Sequence, residues 1–233
     1  MSIAGNLKII QDRIAAAAKR AGRDRSSVKL VVVTKTVDTD RISEAVRAGA
    51  AILGENRVQE AKEKIEKLGS IADWHLIGRL QTNKAKYAVR LFSLIHSVDS
   101  VDLARELDRQ AAKSGKVQDV LIEVNIAGEA SKAGTSSDEA LALVRQAAGL
   151  EHIAIKGLMT MPPFFDDPEK ARPFFAGLRE LAKNITRENI PRVSMQELSM
   201  GMSGDFEAAV EEGATLVRIG QAILGPRPQT ENT

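Results

Sequence analysis

The chain has 233 residues, 33 Lys and Arg against 31 Asp and Glu, and a formal net charge of +2. That balance, without a long block of one sign, argues against a nucleic-acid partner, and no apolar stretch approaches the length needed to span a bilayer. The absence of cysteine removes disulfides, thiol nucleophiles and Cys-ligated zinc, and the three histidines, His75, His96 and His152, show no metal-ligand spacing. The first residues carry no secretory signal pattern, so a cytoplasmic globular protein without membrane or metal partners is expected.

Ile3, Leu7, Ile10, Ile14, Ala17 and Ala21 recur at three- and four-residue intervals. This predicts one amphipathic leading helix over 3–21, packed by a narrow stripe on the outside of a larger body. The run 28–34 is β-branched and apolar, as expected of a strand buried on both faces. A helix over 39–48 follows, with Asp38, Thr39 and Asp40 offering caps and Gly49 closing it. The alternation continues with strands at 51–53, 74–77, 93–96, 120–124, 153–158, 193–198 and 215–219. Their helices are expected at 56–68, 82–91, 101–114, 137–148, 168–185, 205–212 and 221–224.

Eight such strand–helix units imply a parallel sheet with right-handed crossovers, and that number favours closure. The expected α/β architecture is a single (β/α)8 TIM barrel over 28–227 behind the N-terminal helix, with an open doubly wound sheet as the alternative. The chain 1–233 reads as one domain, with a polar tail at 228–233.

In a barrel the ends of the strands deliver their first loop residues to one cavity. Those ends carry Lys35, Glu55 and Asn56, His75 and Gly78, Asp99, Asn125, Met159 and Thr160, Ser199 to Ser203, and Arg218 to Gly220. The last two units each run from strand to small-residue turn to helix. Gly201, Ser203, Gly204 and Gly220 either simply end strands or present free N–H groups to a phosphate. Lys35 is either a rim lysine turned to solvent or an amine at the cavity floor. There, desolvation and cations such as Arg218 would lower its pKa and let it attack an aldehyde. Arg218, between Val217 and Ile219, either faces an anion or lone pair or pairs with a barrel carboxylate such as Glu123. His75 and His96 read as polar residues satisfied at the tops of their strands. Met200 and Met202 read as apolar filler or as packing against a flat ligand.

Together these stretches resemble the YggS/PROSC family of pyridoxal phosphate homeostasis proteins. The resemblance is carried by Thr34-Lys35-Thr36, Gly54 to Glu60, Trp74 to Lys84, His96 to Asp99, Gly157 to Met161, Leu198 to Phe206, Val217 to Gly220 and the ending Gly225-Pro226-Arg227. It implies a barrel like the N-terminal domain of alanine racemase with pyridoxal 5′-phosphate (PLP) as cofactor. Carried over by position, Lys35 looks like the Schiff-base lysine and Arg218 like the partner of the pyridine nitrogen. Asn56 looks like a residue beside the ring, and Met200, Gly201, Met202, Ser203 and Gly220 look like the cofactor and phosphate contacts. Arg57 departs from the family, which often has an aromatic residue there.

An arginine opposite the pyridine nitrogen keeps that nitrogen unprotonated and the ring a poor electron sink. Racemisation would also need a second base on the opposite face, and the only tyrosine, Tyr87, falls on a predicted outer helix. The expectation is therefore a non-catalytic PLP binder acting in storage, buffering or delivery, a monomer meeting PLP-dependent apo-enzymes transiently. The alternatives are a weak PLP-dependent amino-acid racemase, with His75 as a substitute base, and a barrel enzyme acting on a phosphorylated metabolite.

Overall fold

The structure, a computed structural model, describes residues 2–129 and 132–226. Eight parallel strands form the ring: Lys29–Val33 (β1), Ile52–Glu55 (β2), Asp73–Leu76 (β3), Leu94–Val98 (β4), Gln118–Asn125 (β5), Ile153–Met159 (β7), Val193–Ser199 (β8) and Leu216–Ile219 (β9). Each pairs with the next in that order, β4 bonds β5, and β9 returns to β1 with Val31 opposite Arg218. The expected barrel closes. A two-residue strand, Thr135–Ser136 (β6), lies outside the ring against the end of β5 and is too short to show as a run in the sequence. Arg227 and the tail expected at 228–233 lie outside the described residues.

The apolar runs split by strand alternation into two layers. Val31, Ile77, Leu94, Leu121, Met159 and Leu216 fill the barrel interior. Val32, Leu53, Leu76, Ile95, Ile122, Leu158 and Val217 point outward into the larger core beneath the helices. Strands buried on both faces need continuous apolar sequence, which is why they show no clean alternation. Each fully buried Leu, Ile or Phe in these layers contributes roughly 1.5–3 kcal/mol.

Among the described residues the helices are Ile3–Arg20 (α1), Thr39–Arg47 (α2), Val58–Leu68 (α3), Ala85–Leu91 (α4), Val101–Lys113 (α5), Ser137–Ala148 (α6), Arg172–Arg187 (α7), Phe206–Glu211 (α8) and Gln221–Leu224 (α9). Side-chain caps fix several starts: Asp38 accepts from the Arg41 N–H, Ser100 from Leu103 and Ser136 from Glu139. The helix expected at 82–91 is a 3-10 turn, Thr82–Lys84, followed by α4, and that at 168–185 opens with the 3-10 turn Pro168–Ala171. α1 buries Leu7, Ile10, Ile14 and Ala17 on the outside of the barrel, against α8 and α9. Asn6 Nδ2 donates to the Ile223 carbonyl at 3.0 Å, and Arg13 lies 4.7 Å over the Phe206 ring while pairing with Glu207. The leading helix thus clamps the two helices that follow β8 and β9. No helix among the described residues is long and apolar enough to cross a membrane.

Candidate functional site

At the carboxyl ends of the strands, a cavity of about 250 Å³ gathers Lys35 after β1, Asn56 after β2, Met202 and Ser203 after β8, Arg218 in β9 and Gly220 after it. Val33, Ile77, Gly78, Arg79, Met161 and Gln221 complete its wall. Val33 is legible in the sequence as the next inward position after Val31, two residues along β1. Arg79 and Met161 come from loops, where no periodicity marks them, and Gln221 is the first residue of α9, next to Gly220. Met200 and Gly201 do not line the cavity. Met200 is fully buried in the outer core and its N–H donates to the Leu216 carbonyl at 3.1 Å, so it is apolar filler. Gly201 lies at φ +91, where a Cβ would stand 2.5 Å from that of Ala209, and its carbonyl accepts the Arg218 N–H at 3.0 Å. It shapes the turn from below because only glycine fits there without strain.

The loop that carries Lys35 is tied down by a buried ammonium. Lys64 of α3 donates from Nζ to the Thr34 carbonyl at 2.6 Å and to Glu55 Oε1 and Glu60 Oε1, each at 2.7 Å. Thr34 Oγ1 donates to the same Glu55 oxygen at 2.6 Å, and the Thr36 N–H to Glu60 Oε1 at 2.5 Å. Thr36 sits at φ +62, an uncommon state for a β-branched residue that this clamp sustains. Glu55, expected at the cavity, is instead the last residue of β2 and points outward toward α3, because alternation directs Gly54 inward. Burial pushes its carboxyl pKa up, against the pull of Lys64.

Arg218 is buried, and its guanidinium donates from Nη1 to Ser199 Oγ at 2.5 Å and from Nη2 to the Thr160 carbonyl at 2.9 Å. It makes no ion pair among the described residues, so the expected alternative of pairing with Glu123 is not realised. Desolvation lowers its pKa to about 10, with Glu123 and Asp205 opposing, and it stays protonated at neutral pH. Glu123, facing inward near the end of β5, is pushed up to about 7 by burial and by Asp99, with Arg218 and Arg79 opposing.

The two glycine turns meet at the same rim. Among the described residues, the N–H groups of Ser203, Gly204 and Gly220 have no backbone partner, whereas Met202 N–H is taken by Asp205 Oδ1 at 2.6 Å. α8 and α9 have only six and four residues. An anion at this rim would therefore meet individual N–H groups and the Ser203 hydroxyl rather than the field of a long helix.

Neither His75 nor His96 sits at the top of its strand. β4 runs to Val98, leaving His96 mid-strand and fully buried, and His75 faces a separate cavity of about 350 Å³ at the opposite mouth, beside Lys29, Asp73 and Leu94. Tyr87 lies on α4, 41% exposed. Neither candidate second base lines the cavity of Lys35.

The alanine racemase N-terminal domain family matches residues 5–228. A pyridoxal phosphate homeostasis protein of Aquifex aeolicus is 45% identical over 228 residues, covering 97% of this chain and 99% of that one. The chain belongs to the pyridoxal phosphate homeostasis protein family. A solved relative, PipY of Synechococcus elongatus with PLP bound, has 38% identity and a TM-score of 0.81, covering 93% of this chain and 100% of that one. An alanine racemase of Clostridium difficile, 15% identical with a TM-score of 0.75, shares the barrel fold over 97% of this chain and 58% of its own.

Proposed function

We propose that this protein binds pyridoxal 5′-phosphate in the cavity of Lys35 and serves as a non-catalytic carrier that stores, buffers or delivers the cofactor. The residues fit the group. Ser203 Oγ and the N–H groups of Ser203 and Gly220, without backbone partners among the described residues, suit a phosphate, and Asn56 and Met202 line the same cavity as Lys35. Lys35 would hold the aldehyde as a Schiff base. When bound, PLP supplies an electrophilic aldehyde and an electron-accepting ring.

The observation that carries the reading is Arg218, buried, protonated and unpaired with any carboxylate among the described residues, at the wall of this cavity. A guanidinium only donates, so it meets the pyridine nitrogen as a lone pair and keeps it unprotonated. Ring chemistry that depends on a protonated nitrogen is thereby disfavoured. Among the described residues that line the wall beside Lys35 there is no Tyr, His, Asp or Glu to exchange a proton with a bound amino acid, which weighs against the racemase alternative. The relative PipY binds PLP on the same fold.

The test is the visible absorbance of the purified full-length protein, followed by borohydride reduction and peptide mapping. The carrier reading expects a yellow protein, a reduced adduct on Lys35, no turnover of D- or L-amino acids, and a monomer on sizing. A colourless protein that takes up no added PLP sinks it. Rapid interconversion of amino-acid enantiomers sinks the non-catalytic part alone.

A further inference from the structure

A continuous line of side chains crosses the barrel interior from Arg218 to the far mouth. Arg218 Nη1 lies 2.5 Å from Ser199 Oγ, Ser199 Oγ 2.9 Å from His96 Nδ1, and His96 Nε2 3.0 Å from His75 Nδ1. The imidazole rings stand 5.1 Å apart, tilted by 52°. Arg218, Ser199 and His96 are at most 3% exposed, and His75, at 7%, opens on the cavity at the amino ends of the strands.

The direction of this line follows from its first member. Arg218 has only donors, so Ser199 Oγ accepts from it. The serine hydroxyl then has one proton to give, and His96 Nδ1 is its only remaining partner among the described residues. His96 therefore carries its proton on Nε2 and donates to His75 Nδ1. His75 in turn carries its proton on Nε2, toward the far cavity. The reverse direction would leave the Ser199 hydroxyl a buried donor without an acceptor. Burial lowers the His75 pKa to about 4, assisted by Lys29, and holds that of His96 well below its ordinary value, assisted by His75 and Arg218. Both rings are thus neutral at physiological pH, each with one donor and one acceptor. The chain needs no carboxylate at either end.

We propose that His96 and His75 are positioning residues for Arg218, forming a one-way hydrogen-bonded chain that fixes the guanidinium at the cavity and ends as a donor at the opposite mouth. A carboxylate in the place of Ser199 would turn Arg218 into a salt bridge. A neutral chain holds it without a carboxylate bonded to it, so that its charge, felt by Glu123 and Asp205 only without direct contact, stays available to a ligand. His75, which no cofactor contact explains, thereby acquires a role.

Two measurements test this, and only the second rests on the PLP reading. In the full-length protein labelled with 15N-histidine, two-bond proton–nitrogen correlation spectra report the tautomer of each ring, with His152→Gln identifying the third histidine. Two rings locked as neutral Nε2–H tautomers from pH 6 to pH 8 are expected. A His96 bearing its proton on Nδ1, or a cationic ring in that range, overturns the assignment without any variant. In PLP-loaded protein, Ser199→Ala is expected to shift the visible band and weaken PLP uptake roughly tenfold. His75→Leu should move both in the same direction by roughly threefold, whereas His75→Asn, which keeps an acceptor near the Nδ1 position, should match the parent. His75→Leu indistinguishable from the parent would overturn the far half of the chain. A protein that never takes up PLP would fail the proposed function and leave the tautomer test to decide the chain.

Discussion

Gly78 and Asn56 touch backbone to backbone: a Cβ on Gly78 would stand 2.5 Å from the Asn56 carbonyl oxygen and 2.8 Å from its Cα. Both residues line the cavity of Lys35, so the missing side chain at 78 sets where Asn56 lies. Gly78→Ala is expected to push Asn56 out of place and weaken PLP uptake, at a strain on the order of 1–3 kcal/mol. Absorbance titration with PLP beside a thermal melt measures both. Undiminished uptake would show that Asn56 has no part in holding the ligand.

The Lys64 clamp beneath Lys35 should be costly to open. Lys64→Met leaves the Glu55 and Glu60 carboxylates facing each other without their shared ammonium. Stability is expected to fall by roughly 3–5 kcal/mol, since an uncompensated buried charge remains. Adding Glu55→Gln should recover part of that loss in urea unfolding. If the single and double variants unfold alike, the cluster is not what holds the loop.

Glu123 makes stability depend on pH with a definite sign. Its carboxyl titrates near 4.5 when unfolded and near 7 when folded, so the native state binds the proton more tightly in between. Stability therefore declines as pH rises from about 4.5 to 7 and stays lower above it, by an amount on the order of 3 kcal/mol from this group. Glu123→Gln should match the parent near pH 4.5 and be more stable at pH 8. Parallel pH profiles of the two proteins would count against a raised carboxyl.

At Gly157 the backbones of β7 and β8 leave no room for a side chain. A Cβ there would fall 1.8 Å from the Glu197 carbonyl oxygen, at a register shift between Ile155 and Gly157. Gly157→Ala is expected to cost roughly 3 kcal/mol or more, because backbone rather than a side chain must move. The melting temperature reports it, and a wild-type value would mean the strands separate freely at this point.

Much of the site is legible in the amino-acid sequence. Lys35, Asn56, Ser203, Arg218 and Gly220 stand at or just past strand ends, and a barrel gathers such ends whatever lies between them. Met200 is not legible in this way, because a strand–turn–helix junction alternates cavity-facing and core-facing residues, and the turn at Gly201 decides which is which. Glu55, His75 and His96 escape a sequence reading for a related reason. An error of one or two residues in a strand's end changes the level of a side chain in the barrel, and one residue reverses its face.

The order of apolar runs, turns and capped helices determined by itself that this chain forms parallel strand–helix units, enough of them to close a barrel. Those are local signals, written in neighbouring residues. Which partner each polar side chain finds was decided only by the tertiary structure. Ser199 meets Arg218 rather than solvent, Lys64 reaches across thirty positions to Thr34, and His75 meets His96 inside the barrel. Each contact joins separate strand–helix units, and its formation depends on the stagger at which the barrel closes, which no single segment encodes.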